Sequence, residues 1–306
     1  MGLFSKKKKA KPVRSSGRVT PPFDNMNNFI VVVLDSCRYD SFMQAAPKTI
    51  MKLGEVEDRY SYATWTAPSH YNLLMGLMPH SSPKGVFASE YYKHDFIKYN
   101  ERLGAKNIEF KSLVPKLWLP DLLQSTMGYR THGMVSLPVL NSLTPINRGF
   151  DTFRLMDKHN DMNAMLDMMT FPSDRPSFYM LNVGETHYPY ARPSEAQNDW
   201  PRISGVHGVF KHLDDHIVDG CIQDSTTGQK QFFDQKEMDL LKARQVDTVE
   251  YLDSVFERLF DIVPKNTWIT VTADHGELFG EEGYFGHGPI FSKKVFQVPF
   301  LEGKIR

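Results

Sequence analysis

Apolar residues fall into two kinds of run along this chain. Phe29–Leu34 (FIVVVL), Ser177–Asn182 (SFYMLN) and Thr267–Thr272 (TWITVT) are short and rich in β-branched and aromatic residues, with little polar alternation. That pattern suits strands buried on both faces, as in a parallel sheet. Tyr129–Val135 reads as a further short strand. The second kind of run repeats at helical spacing. Glu237–Phe260 gathers Leu240, Leu241, Val249, Leu252, Val255, Phe256, Leu259 and Phe260 on one side and predicts a long amphipathic helix. Residues 41–53 also read as helical, and Leu113–Met127 keeps helical spacing broken at Pro115 and Pro120. Leu73, Leu74 and Leu77 follow Pro68, which suits the first turn of a helix. Pro79–Lys106 is weakly patterned and predicts loops and short helices, and Asn147–Phe153 a turn around Gly149. Residues 188–235, with Pro, Gly, Asp and His and little period, read as an insertion or lid. Strands alternating with helices predict an α/β fold, its largely parallel central sheet sandwiched by helices.

Composition narrows this picture at the ends. The 306 residues can bury a large core, and 41% hydrophobic content is ordinary for a folded chain. The net charge of zero conceals Lys6, Lys7, Lys8, Lys9, Lys11, Arg14 and Arg18 in an N-terminal stretch without acids. Residues 1–24 are therefore expected to be a disordered basic tail that could touch anionic surfaces, with residues 25–306 as one folded domain. No aromatic residues interleave the basic ones, so nucleic acid is not an expected partner. Gly2 is followed by Lys6 where a myristoylation signal needs Ser or Thr. No run of about 18 apolar residues predicts a transmembrane anchor, and no secretory leader is apparent. Cys37 and Cys221 give no disulfide framework, and a cytoplasmic location is the default expectation.

The candidate chemistry sits where the strand runs stop. Phe29–Leu34 ends on Asp35, Thr267–Thr272 delivers Asp274 and His275, and Ser177–Asn182 leads to His187. Open α/β sheets place ligands at such carboxyl ends. His287 follows between two glycines, and Thr66 precedes the helix begun near Pro68. Two carboxylates, an imidazole and a hydroxyl form a ligand set for Zn²⁺ or Mn²⁺. Gly276 is expected to permit the sharp turn that lets Asp274 and His275 reach one ion. Each residue has a plainer reading: Thr66 or Ser69 as a helix cap, Asp35 as a turn residue, His287 as a loop histidine.

The ordered motifs resemble the sulfatase-like branch of the alkaline phosphatase superfamily, from about Phe29 to Leu301. Thr66-Ala-Pro-Ser-His70 is similar to that branch's nucleophile motif, Arg148-Gly-Phe-Asp151 to its Arg-Gly-Phe-Asp turn, and His187-Tyr-Pro189 to its His-x-Pro loop. Ala273-Asp-His-Gly-Glu277 resembles its metal motif, with Val298-Pro299 after it. The resemblance implies an alkaline phosphatase-like α/β fold lacking most of the C-terminal subdomain. It implies one divalent ion, Mn or Zn first and Ca or Mg as options, held by Asp35, Thr66, Asp274 and His275. A second metal would draw on His187, His287 and one of Glu185, Asp247 or Asp253. Thr66, His187 and His287 take catalytic roles, and His70, Ser69 and Arg38 bind substrate. His70 stands where the family has Arg. Sulfatases oxidise a Cys or Ser to an aldehyde, whereas Thr66 carries a Cβ methyl and would give a ketone. Thr here resembles phosphoethanolamine and glycerolphosphate transferases and phosphodiesterases. The implied activity is a metal-dependent hydrolase or transferase acting on a phosphodiester, phosphonate or other phosphate ester of a small molecule, lipid or glycan headgroup, through a Thr66 covalent intermediate. The alternatives are a sulfuric ester hydrolase and an inactive binding protein that keeps the fold.

Overall fold

The computed structural model describes residues 26–81, 84–201, 203, 217–218, 221–222 and 233–304. The expected basic tail at 1–24 lies outside them, as does most of the expected lid at 188–235. Seven strands make the central sheet: β1 (Asn28–Leu34), β2 (Glu57–Tyr60), β3 (Arg130–Val135), β4 (Thr152–Leu155), β5 (Ser177–Val183), β6 (Thr267–Thr272) and β7 (Gln297–Lys304). Their spatial order is β2-β7-β6-β1-β5-β3-β4. Strands β6, β1, β5, β3 and β4 run parallel, and β7 pairs antiparallel with both β6 and β2.

Strand β1 is buried along its whole length because helices cover both faces. Its alternate residues serve two cores, as the two-residue side-chain period requires. Ile30, Val32 and Leu34 join Tyr179, Leu181, Ile269 and Val271 against the long helix α6 (Gln235–Ile262) and α5 (Met162–Met168). Phe29, Val31 and Val33 join Phe178 and Met180 against α2 (Thr66–Leu74), α3 (Ala88–Leu103) and α4 (Leu119–Met127). Each such fully buried side chain stabilises by about 1.5–3 kcal/mol. The short helix α1 (Tyr39–Ala45) follows β1 and packs Phe42 into the first core.

Several boundaries depart from the sequence reading. Pro79–Lys106 holds the 16-residue α3, not only loops, with Tyr92, Phe96, Tyr99 and Leu103 turned to the core. Residues 41–53 are not one helix but α1 followed by a 3₁₀ turn at Ile50–Leu53. The Leu113–Met127 run is broken as expected, into a 3₁₀ turn at Val114–Lys116 and α4, with Pro120 in the first turn of α4, where its missing N–H is tolerated. Leu240, placed on the apolar side of the long helix, is exposed. Residues Thr152–Phe153, read as part of a turn, begin β4, although Gly149 does take the left-handed conformation with φ 77°. Among the described residues, no helix is long and apolar enough to cross a membrane.

Candidate active site

Parallel register puts three strand ends side by side. Val33 on β1 pairs with Asn182 on β5 and with Thr272 on β6. Asp35, Glu185–His187 and Asp274–His275 thus emerge from neighbouring strands at one edge. Strand β1 hands over through Ser36, a non-glycine residue at φ 61°. Its strained turn aims the Ser36 N–H at Asp274 Oδ1, 3.0 Å away, where the His275 N–H also donates at 3.0 Å. Gln245 on α6 clamps the turn, donating to the carbonyls of Ser36 (2.9 Å) and Thr186 (3.0 Å).

Thr66 is the first residue of α2, and Trp65 is the N-cap. No side chain caps this helix, so the cap reading of Thr66 and Ser69 does not hold. The Thr66 hydroxyl instead lies 3.3 Å from His275 Nε2, while the Ser69 hydroxyl donates back to the Ala63 carbonyl at 3.2 Å. His275 Nδ1–H donates to the Gly276 carbonyl at 2.9 Å, which leaves Nε2 with its lone pair. That lone pair faces Asp274 Oδ2 at 3.2 Å, and Oδ2 is buried without a hydrogen-bond partner. Two acceptors in contact away from water repel unless a proton or cation lies between them. Burial first, and then the Asp35 charge, pushes the Asp274 carboxyl well above its usual range.

Ligand atoms of Asp35, His70 and Asp274 all lie within 4.8 Å of one another. His70 is fully buried, and both its nitrogens are engaged. Nδ1–H donates to the Thr66 carbonyl at 2.8 Å, and Nε2 accepts from Asn182 at 3.2 Å. Burial holds its imidazole below the usual range and therefore neutral. Asn182 also donates to Asp35 Oδ2 at 2.7 Å, and its own oxygen accepts from Ser136 N and Leu137 N. The donor set of carboxylates, imidazole and hydroxyl, with one orphaned carboxylate oxygen at its centre, fits a divalent cation.

His287 and His187 border this centre. The His287 ring centroid is 4.1 Å from that of His275 and 5.5 Å from that of His187. His287 Nδ1–H donates to Glu277 Oε1 at 2.8 Å, and Tyr190 OH donates to Glu277 Oε2 at 2.7 Å. Burial lowers the His287 pKa, but the Glu277 carboxylate more than offsets it and raises the net value. His187 Nδ1–H donates to the Tyr188 carbonyl at 2.8 Å.

Other residues singled out in the sequence lie elsewhere or are engaged. Arg38 is buried, with its guanidinium on Asp40 (2.6 and 2.7 Å) and Glu281 (2.6 Å). Asp253 caps the turn at Thr49 and Ile50, and Asp247 pairs with Arg192. Buried Glu185 accepts from the Met162 N–H at 2.8 Å, and burial raises its carboxyl to about 7. Gly276 is not in the left-handed region, contrary to the expected sharp turn. It must be glycine because a Cβ there would lie 2.1 Å from the Lys294 carbonyl oxygen. Sequence reasoning missed Ser36, Asn182, Gln245 and Glu277. Gln245 carried a signal, a polar residue midway between Leu241 and Val249 on the apolar side of a helix.

A family model described as Sulfatase matches residues 27–301. The chain belongs to the sulfatase family. Among solved structures, this sulfatase-family chain resembles the soluble domain of lipooligosaccharide phosphoethanolamine transferase A from Neisseria meningitidis. The TM-score is 0.53 at 14% identity, over 94% of this chain and 80% of that one. It is also similar to BT1596, a 2-O GAG sulfatase, with TM-score 0.54 and 14% identity over 92% of this chain and 65% of that one. A putative sulfatase from Bacteroides thetaiotaomicron gives TM-score 0.53 and 14% identity over 91% and 64%. The chain thus spans just under two thirds of these two sulfatase structures, and the likeness shows a shared α/β fold. No curated protein matches the sequence.

Proposed function

We propose that this sulfatase-family chain is a divalent-metal-dependent phosphoester hydrolase or transferase with Thr66 as its nucleophile. The observation that carries the reading is the Thr66 hydroxyl, uncommitted to capping and 3.3 Å from His275 Nε2 beside the orphaned Asp274 oxygen. A divalent ion held by Asp35, Thr66, Asp274 and His275, with His70 adjoining, would lower the pKa of the hydroxyl and neutralise charge at phosphorus.

The chain's own groups supply the rest. Thr66 Oγ1 attacks phosphorus in line, and the ester oxygen opposite it departs with its electron pair. The free N–H groups and dipole at the start of α2 stabilise the negative charge that gathers there. His287, its Nδ1–H fixed on Glu277, presents Nε2–H to the departing oxygen. His187, on the other side of His287, grips a phosphoryl oxygen. Water or an acceptor alcohol then displaces Thr66 from phosphorus and regenerates its hydroxyl. His70, Ser69 and Arg38 act from behind the reacting atoms, since each is buried with its polar atoms engaged.

The likeness to a protein named as a phosphoethanolamine transferase supports phosphorus chemistry. The methyl of Thr66 argues against the aldehyde hydrate of a sulfatase, despite the equal likeness to a 2-O GAG sulfatase. The test is a panel of aryl phosphodiester, phosphonate, phosphomonoester and sulfate ester, each with Mn²⁺, Zn²⁺, Mg²⁺ and Ca²⁺. Turnover of a phosphorus ester that Thr66→Ala abolishes supports the reading; turnover of the sulfate ester alone overturns it.

A further inference from the structure

Asp40, in the first turn of α1, accepts from three cations that come from three separate segments. Arg38, just past Asp35, grips it with a fork, Nε to Oδ1 at 2.7 Å and Nη2 to Oδ2 at 2.6 Å. Lys294, in the segment that leads into β7, reaches Oδ2 at 3.0 Å, and Lys242 of α6 reaches it at 3.2 Å. An acid at a helix start needs none of these partners, since the helix dipole already favours it there. The Arg38 guanidinium is also withdrawn from water, its side chain 2% exposed against 31% for Asp40. Burying a guanidinium is costly, and apolar side chains of similar volume often serve stability as well or better. Stability alone therefore does not account for the cluster.

What the cluster holds is Gly276, the residue after His275. The Gly276 N–H donates to the Val295 carbonyl at 2.7 Å. Lys294 and the stem of Arg38 press on the face of Gly276 that carries no side chain. A Cβ there would lie 2.1 Å from the Lys294 carbonyl oxygen and 3.4 Å from Arg38 Cγ. Arg38 Nη1 also bonds Glu281 at 2.6 Å, farther along the same loop. The charged tips of Arg38 and Lys294 then meet on Asp40, which closes a circuit of contacts Gly276–Arg38–Asp40–Lys294–Gly276. The Gly276 carbonyl accepts the His275 Nδ1–H at 2.9 Å, so the plane of that peptide sets where Nε2 points. We propose that Asp40 is a positioning residue: by closing the circuit it fixes the Gly276 peptide, and through it the approach of Asp274 and His275 to Asp35. The consequence for metal binding rests on the metal-centre reading above; the circuit itself does not.

The test compares the full chain with Asp40→Asn, Lys294→Met, Lys242→Met and the control Glu302→Gln. Glu302 takes buried Arg102 by a similar fork at 2.8 and 3.2 Å, between α3 and β7, so its loss weakens the fold without touching the circuit. Amide exchange of the metal-free chain is read by mass spectrometry on peptides spanning the loop after β6. It quickens there roughly tenfold or more in Asp40→Asn and Lys294→Met, the worth of one charged hydrogen bond, and keeps the wild-type rate in the other two. Mn²⁺ titrated into the folded proteins binds about 10–100-fold more weakly to the same two variants. Charge alone predicts the opposite sign for Lys294→Met, since removing a lysine favours a nearby cation. Unchanged exchange or tighter Mn²⁺ binding in Lys294→Met, or equal effects of Lys242→Met or Glu302→Gln, overturns the proposal. If the wild type takes up no Mn²⁺, the metal-centre reading fails separately, and exchange alone decides: an Asp40→Asn loop exchanging like wild type refutes the circuit. Should Asp40→Asn fail to fold, Lys294→Met, whose side chain is 41% exposed, carries the same comparison.

Discussion

Replacing Asn182 with alanine removes one carboxamide on which four hydrogen bonds end. Its Nδ2 donates to the buried Asp35 Oδ2 at 2.7 Å and to His70 Nε2 at 3.2 Å. Its oxygen accepts from the Ser136 and Leu137 N–H groups at 3.1 and 3.3 Å. Ser136 N keeps the Asn182 main-chain carbonyl, also at 3.1 Å, so only the Leu137 N–H is left without this acceptor. Losing a charge-assisted bond costs about 1.5–3 kcal/mol and an orphaned buried N–H about 1–3, so the variant should lose about 3–5 kcal/mol. At roughly 2 °C per kcal/mol for a chain of this size, Tm falls by about 6–10 °C. The assay is calorimetry in chelator, so that metal binding does not contribute. Asn182→Asp is the control: it keeps an acceptor for Leu137 N–H but sets a carboxyl against Asp35. An Asn182→Ala protein melting within a degree of wild type would refute the claim that this amide holds the base of the site together.

Four further outcomes follow from the same geometry. Zn²⁺ or Mn²⁺ at about 100 times its Kd should stabilise the wild type by about 2.7 kcal/mol, and Asp274→Asn should lose that gain; an unchanged wild-type melt would count against a metal centre. Glu185 has its folded pKa raised from 4.5 to about 7. Its stabilising contribution is full below about pH 4.5 and lost as pH rises through about 7, a fall of about 3 kcal/mol that Glu185→Gln should erase from denaturant curves. Gly276→Ala, with its Cβ 2.1 Å from the Lys294 carbonyl oxygen, should cost about 3 kcal/mol or abolish expression of folded protein. Gly283→Ala, at φ 79° with open space around it, should cost only about 1–2 kcal/mol, and equal losses at the two glycines would contradict the packing argument.

What was legible in the sequence followed burial. Strands β1, β5 and β6 announced themselves because helices cover both faces, so no charged residue interrupts them. The residues that end them, Asp35, Asp274 and His275, stood out by contrast. Strand β2 reads Glu-Asp-Arg-Tyr, an edge strand whose charges hide it, and β7 carries Pro299 and Gly303 inside its span. Helix α3 was hidden by its Tyr, Lys and His, although Tyr92, Phe96, Tyr99 and Leu103 keep helical spacing. Asn182 was illegible for a different reason: its partners lie 112 and 147 residues away, and only parallel pairing of β5 with β1 brings them within reach. Glu277 was visible within its motif, but its task depends on Tyr190 and His287, which loops deliver.

The most direct test of the central claim is acid-quenched peptide mass spectrometry of the metal-loaded protein during turnover of an aryl phosphodiester. The account predicts a phosphoryl adduct on Thr66, absent from Thr66→Ala, whose kcat/KM falls by about 10³ or more. Steady turnover with Thr66 unmodified and a Thr66→Ala rate equal to wild type would contradict it.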